Sequence, residues 1–236
     1  MCGRFATTIT DREMRSLFDV DEDEVVGDEL PSSYNVAPTQ PVRMVVERPA
    51  REGESGAVRQ IRTARWGLVP SWAKDPSIGN RLINARSETV TTKPSFRAAA
   101  KARRMVIPAY GYYEWEKRDG KKVPHFLHPA DGVLAMAGLY EMWRDPSKPD
   151  DDPGRWLWSA TILTRPATDE LGRIHDRCPV VLPPEFRDPW LDAGLSDRAD
   201  VEALLASVPD PRLATYEVST AVNSPRNNSP DLLSPV

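Results

Sequence analysis

Residues 105–127, MVIPAYGYYEWEKRDGKKVPHFL, hold three short runs of β-branched and aromatic residues broken by turn chemistry. Met105 to Pro108, Tyr112 to Lys117 and His125 to Leu127 read as strands, and Asp119-Gly120 reads as the turn between the second and third. Working outward, Val133 to Tyr140 and Leu157 to Thr164 continue the strand pattern, and the polar, proline-rich Asp145 to Gly154 is the loop between them. Upstream, Val42 to Val46 and Val58 to Trp66 are strands, with Arg51 to Gly56 as a mobile hairpin tip. Pro31 to Pro41 carries too much proline for a helix and reads as ordered coil. Helices fall at the edges. Thr10 and Glu13 make a capping-box pattern that starts a helix over Asp11 to Asp19, and further helices are expected over Ser95 to Arg104, Thr168 to Ile174 and Asp200 to Ser207. Leu213 to Val218 supplies a last strand. The expected fold is α+β: a single domain over residues 1–236, with a mostly antiparallel, partly barrel-like β-sheet core and peripheral helices.

Composition narrows the class. No apolar run approaches the roughly 18 residues of a membrane span, and the N-terminus lacks the apolar core of a signal peptide. Cys2 and Cys178 are the only cysteines, so no disulfide framework exists and a reducing, cytoplasmic setting is expected. Two cysteines far apart and three histidines make no zinc-type ligand spacing, so no metal and no cofactor is expected. Net charge is −4, but its distribution is uneven. From Ile61 to Met105 there are ten basic residues and two acidic ones, 10 − 2 = +8. That run is either a solvated face or a nucleic-acid site.

Several residues offer chemistry. Removal of Met1 would leave Cys2 with a free α-amine beside its thiol. An α-amine titrates near about 7.7–8.0, against about 10.4 for lysine, so much of it is an uncharged nucleophile at neutral pH. An amine and thiol on adjacent carbons condense with an aldehyde, first to an imine and then to a thiazolidine ring. A ring-opened abasic deoxyribose is such an aldehyde. The same residue types also suit a small buried cysteine. Glu114 lies between aromatics, on one strand face with Tyr112 and Glu116, and is either a proton shuttle or a surface carboxylate. His175 is an acid–base group or a helix-end cap, whereas His125 and His128 read as structural. Asn84 is suited to orienting the Cys2 amine and Arg86 to holding a phosphate, or both stabilise a loop. Trp66 and Trp72 are either core or a stacking surface for bases.

Taken together, these stretches resemble the SRAP family, the SOS-response-associated peptidases or abasic-site processing proteins. The resemblance is carried by Met1-Cys2-Gly3-Arg4-Phe5, Tyr34-Asn35-Val36-Ala37-Pro38, Trp66-Gly67-Leu68-Val69-Pro70-Ser71-Trp72, Ile83-Asn84-Ala85-Arg86-Ser87-Glu88-Thr89, Gly111-Tyr112-Tyr113-Glu114-Trp115 and Ile174-His175-Asp176-Arg177-Cys178-Pro179. It implies an enzyme that binds single-stranded DNA containing abasic sites and forms a thiazolidine crosslink through Cys2. An associated abasic-site lyase activity and self-processing of Met1 are also implied. It further implies Cys2, Asn84, Glu114 and His175 as the catalytic set. Arg4, Trp72 and Arg86, with Arg81 of the basic run, become the residues that hold DNA. A cytoplasmic monomer, associated with the nucleoid when on DNA, is the expected state. The alternative is an N-terminal cysteine hydrolase or peptidase acting on an amide. Cys178 departs from the family, which often has a bulkier or basic residue before that proline.

Overall fold

In the computed structural model Asp119 and Gly120 both take positive φ, 50° and 74°, the geometry of a tight hairpin turn that matches strand twist. The structure describes residues 2–49 and 56–236, so the expected tip at Arg51 to Gly56 lies, apart from Gly56, outside the described residues. In chain order the elements are β1 (Phe5–Thr7), α1 (Asp11–Phe18), β2 (Ser33–Val36), β3 (Pro41–Arg48), β4 (Val58–Trp66), β5 (Asn84–Arg86), α2 (Arg97–Ala102) and β6 (Arg104–Ala109). There follow β7 (Gly111–Arg118), β8 (Lys121–His128), β9 (Leu134–Arg144), β10 (Trp156–Pro166), α3 (Asp169–Ile174), β11 (Arg177–Pro179), α4 (Pro184–Leu191), α5 (Arg198–Ser207) and β12 (Ala214–Glu217).

The strands make a barrel and an open sheet. β10, β4, β3, β6 and β9 pair in that order, and β9 pairs back onto β10 to close a five-stranded barrel. Most pairings are antiparallel, but β4 and β5 run parallel to β10. The second sheet has the order β12-β8-β7-β1-β2 and is antiparallel throughout. The expected α+β class with a mostly antiparallel, partly barrel-like core is therefore the observed one.

Strand period explains how the barrel fills. Val42, Met44 and Val46 of β3, Ala64 and Trp66 of β4, Met105 and Ile107 of β6, and Ala160 and Ile162 of β10 alternate inward and share one buried cluster. The intervening residues, such as Val45, Val106 and Leu163, face out but are buried too, under α2, α4 and α5 with Ala99, Trp190 and Val201. Burial on both faces is why these strands read as continuous apolar runs. Closure is tight at Gly138 of β9. A Cβ there would lie 2.4 Å from the Thr161 carbonyl oxygen and 2.1 Å from the Met105 methyl carbon, so only glycine lets β6, β9 and β10 come together.

Two expectations are corrected. Pro31 to Pro41 is not all coil, because Ser33–Val36 pairs with β1 as an edge strand. Its prolines flank the pairing residues rather than interrupt them. The helix expected over Ser95 to Arg104 is shorter, Arg97–Ala102. Arg104 instead opens β6, where its buried guanidinium donates to the carbonyls of Trp190 (2.8 Å), Ala100 (2.9 Å) and Asp192. The capping box at Thr10 is formed as expected, with Glu13 reaching back to the Thr10 amide at 2.8 Å. Among the described residues no helix is long and apolar enough to cross a membrane.

Candidate active site

Cys2 is fully buried, in the same cluster as Phe5, Trp66, Tyr112 and Ile162, on the barrel end where the Phe5 ring rests 5.1 Å from that of Trp66. Strand β1 places it there by pairing with β7 on one side and β2 on the other. Asn84 reaches it from β5, donating its amide Nδ2–H to the Cys2 carbonyl at 2.7 Å. β5 is held parallel to β10, and the Trp66 indole donates to the Ile83 carbonyl at 2.9 Å, so the asparagine's backbone is fixed from two directions. The Asn84 Oδ1 is buried and has no donor among the described residues, leaving an acceptor beside Cys2.

Glu114 comes from β7, where it is buried and lies opposite His125 of β8. Burial pushes the Cys2 thiol well above its ordinary value, and the nearby Glu114 carboxylate pushes it further, against a backbone hydrogen bond from Arg4. The thiol is therefore stored protonated, next to a carboxylate. Tyr112 shares the pocket; burial raises its phenol, and Cys178, Cys2 and Glu114 add to the rise. Cys178 lies on β11 with its thiol pushed up to about 11, mainly by burial. Neither Tyr112 nor Cys178 stood out in the sequence as part of this site, although both lie within the stretches that carry the family resemblance.

His175 ends α3, as expected for a helix-end histidine. The Arg177 backbone N–H lies 3.0 Å from its Nδ1. The Asp176 carboxylate lies 2.8 Å from the same Nδ1, so two neighbours on the following residues fix the ring. Two ion pairs hold this corner. Arg173 of α3 donates to Glu116 of β7 at 2.8 Å, tying the helix that carries His175 to the strand that carries Glu114. Arg177 binds both carboxylate oxygens of Glu88, which lies just beyond β5. No sequence signal marked either pair, because the partners lie far apart in the chain.

The Glu88–Arg177 pair predicts an acid sensitivity. Arg177 holds the Glu88 carboxyl down at about 2, from an ordinary value of 4.5. A depressed folded-state value means the contribution is fully present above pH 4.5 and is lost as pH falls through about 2. Thermal melts from pH 6 to pH 1.5 should therefore converge for the parent and Glu88→Gln at the acid end, with the parent more stable near neutrality. Parallel curves across the range would remove the pair from the account.

The expected DNA-holding residues fall into two groups. Trp72 is 58% exposed, and Arg81 and Arg86 are exposed. Trp72 and Arg81 project from one loop. Its ends are pinned by the Leu68 amide on the Leu82 carbonyl at 3.1 Å, and the Trp143 indole donates to the Ala73 carbonyl at 2.7 Å. Gly67 and Gly79 touch backbone to backbone inside it, since a Cβ on either would meet the other's carbonyl oxygen at 2.5 Å. Arg4 is different. It is half-buried, donates to Asn35 Oδ1 at 2.7 Å and to the Val222 carbonyl at 2.8 Å, and lies over the Trp115 ring. Trp66 is core.

A buried thiol at the second residue, sealed against one end of a small β-barrel with a carboxamide on its carbonyl and a carboxylate nearby, is the feature that the family comparison bears on. The SOS response associated peptidase (SRAP) profile matches residues 1–225, and this chain belongs to that family. Abasic site processing protein YoqW of Bacillus subtilis (strain 168) is 37% identical over 235 residues, covering 99% of each chain. Abasic site processing protein YedK of Escherichia coli (strain K12) is 32% identical over all of both chains. A solved structure of a protein from Bordetella bronchiseptica, 29% identical, superposes with a TM-score of 0.71 over 92% of this chain and 100% of that one.

Proposed function

We propose that this protein processes abasic sites in single-stranded DNA by forming a thiazolidine between Cys2, freed of Met1, and the ring-opened sugar. The observation that carries this reading is the Asn84 amide on the Cys2 carbonyl, with the Glu114 carboxylate close enough to raise the Cys2 thiol. The names of the relatives, abasic site processing proteins, agree with it.

The steps balance without a cofactor. The Cys2 amine adds to the sugar aldehyde carbon and the resulting carbinolamine loses water, giving an imine. The thiol sulfur then bonds to the imine carbon, its proton leaves, and the imine nitrogen gains one. Asn84 holds the Cys2 backbone so that the amine has one orientation. Glu114 accepts the thiol proton and returns it to nitrogen. His175 donates a proton to the sugar ring oxygen as the aldehyde opens. Exclusion of water around Cys2 protects the imine from hydrolysis. From the same imine, loss of the proton beside the imine carbon expels the 3′ phosphate, which is the lyase outcome. Arg4 takes a mixed part, with one nitrogen given to the fold and its Nε left without a protein partner. Trp72, Arg81 and Arg86 hold the flanking nucleotides by stacking and charge.

A hydrolase acting on external amides draws less support. It needs a thiolate, and burial together with Glu114 holds this sulfur protonated. An imine is electrophilic enough to take a thiol whose proton is being removed. Self-removal of Met1 would be a single turnover and does not require that general reactivity.

Intact mass tests the proposal. Protein lacking Met1, mixed with a single-stranded oligonucleotide bearing one abasic site, should gain the oligonucleotide mass less one water. No covalent gain from protein whose Met1 is gone would overturn it.

A further inference from the structure

The basic run of residues 61–105 does not act as one surface. Four of its cations serve the fold: Arg62 lies over the Trp158 ring at 4.5 Å, Arg65 binds Asn80 at 2.5 Å, Arg103 binds Glu141 at 2.8 Å, and Arg104 is buried on carbonyls. Lys74, Arg81, Arg86, Lys93, Arg97 and Lys101 remain, all exposed, with no side-chain partner among the described residues. Unpaired surface charge costs little in water, but six exposed cations without side-chain partners in an acidic protein give a field that favours an anionic ligand.

Their arrangement is ordered. Four of the six lie on one stretch of chain that leaves Asn84 and ends in α2. The amide of Lys93 donates to the Thr89 carbonyl at 3.0 Å, and that of Arg97 to the Lys93 carbonyl at 2.9 Å. Two successive turns, meeting at Lys93, thus bring the chain into α2, where Arg97 and Lys101 are four residues apart and share a face. Phe96, Ala99 and Ala100 take the buried side. Arg97 and Lys101 take the exposed side, and Lys93 is exposed on the turn that leads into α2. Arg97 and Lys101 also line a cleft of about 320 Å³ against α5, with Thr91, Ser196 and Arg198 around it. The α5 carboxylate Glu202 is engaged by Thr91 and by Arg198 at 2.8 Å.

We infer that Lys93, Arg97 and Lys101, continuing outward from Arg86, form a track that grips backbone phosphates of the DNA strand beyond the nucleotides held at the lesion. This rests on the proposed DNA reading and adds to it a site remote from Cys2. The ligand chemistry is a row of phosphodiesters. No base is read, because the track offers only cations and two hydroxyls.

The test compares the parent with the triple variant Lys93→Ala, Arg97→Ala, Lys101→Ala on single strands of increasing length, each with one abasic site near one end. On the shortest strand that crosslinks, both proteins should give the same covalent yield. On long strands the parent should gain affinity with length and the variant should not. The slope of log affinity against log salt should fall by about 2 for three lost phosphate contacts on a single strand. An unchanged slope and length increment, with short-strand crosslinking intact, would overturn the track alone. No crosslink and no binding by the parent at any length would overturn the DNA reading and the track with it.

Discussion

Replacing Cys2 with alanine should abolish the product that survives a denaturing gel while leaving non-covalent binding to the same DNA within about twofold. Alanine at this position still presents an α-amine once Met1 is gone, with the same titration range near about 7.7–8.0. The imine can therefore form, but without sulfur nothing closes the ring and hydrolysis returns the aldehyde. The contrast is clearest with borohydride. Reduction should trap the Cys2→Ala imine as a stable adduct, and omission of reductant should leave none. The parent should crosslink either way. Loss of one sulfur from a fully buried position costs about 1 kcal/mol of stability, small enough that folding does not confound the result. A Cys2→Ala protein that crosslinks to the parent's yield without reductant would remove the thiol from the mechanism.

The parts of this molecule that could be read in its sequence share a physical character. Strands such as Val58–Trp66 and Gly111–Arg118 are long enough for alternation to show, and Asp119-Gly120 is a turn whatever surrounds it. Three-residue strands are not legible, and β1, β5 and β11 are of that length. All three deliver site residues, since β1 follows Cys2 and Arg4, β5 begins at Asn84 and β11 contains Cys178. Helix α4 was hidden by its composition. It starts at Pro184 and carries Pro189 inside, where proline's missing N–H removes a helix bond and argues against a helix on local grounds. Barrel closure was out of reach for another reason. The parallel pairing of β4 with β10 joins Arg65 to Ser159, and no local pattern encodes a partner at that distance. The same holds for chemistry. Cys2, Asn84 and Glu114 stand in recognisable stretches, but Glu116–Arg173 and Glu88–Arg177, which fix the histidine corner, are meetings of ordinary charged residues. The basic run shows the converse error, since ten cations adjacent in sequence divide into six that face solvent and four that brace the fold.

Glu114→Gln should slow crosslinking by about 10²–10⁴-fold with DNA binding retained, and the sign of that change decides what the carboxylate does. Glutamine keeps the shape of a buried side chain and loses its charge. Two effects then oppose each other. The Glu114 charge raises the Cys2 thiol, so removing it lowers the thiol's pKa and makes sulfur easier to ionise. If ionisation alone limited ring closure, the variant would be faster than the parent. If the carboxylate must accept the thiol proton and pass it to nitrogen, the variant loses that route and is slower. The second effect is the larger. Burial, not Glu114, is the main reason the thiol is held up, so neutralising one carboxylate leaves sulfur protonated at neutral pH and without a base. Single-turnover crosslinking rates and the rate of Cys2 alkylation by iodoacetamide, measured on the same samples, separate the two. Slower crosslinking with equal or faster alkylation assigns Glu114 to proton transfer. Faster crosslinking in step with faster alkylation would reduce it to an electrostatic brake on the thiol.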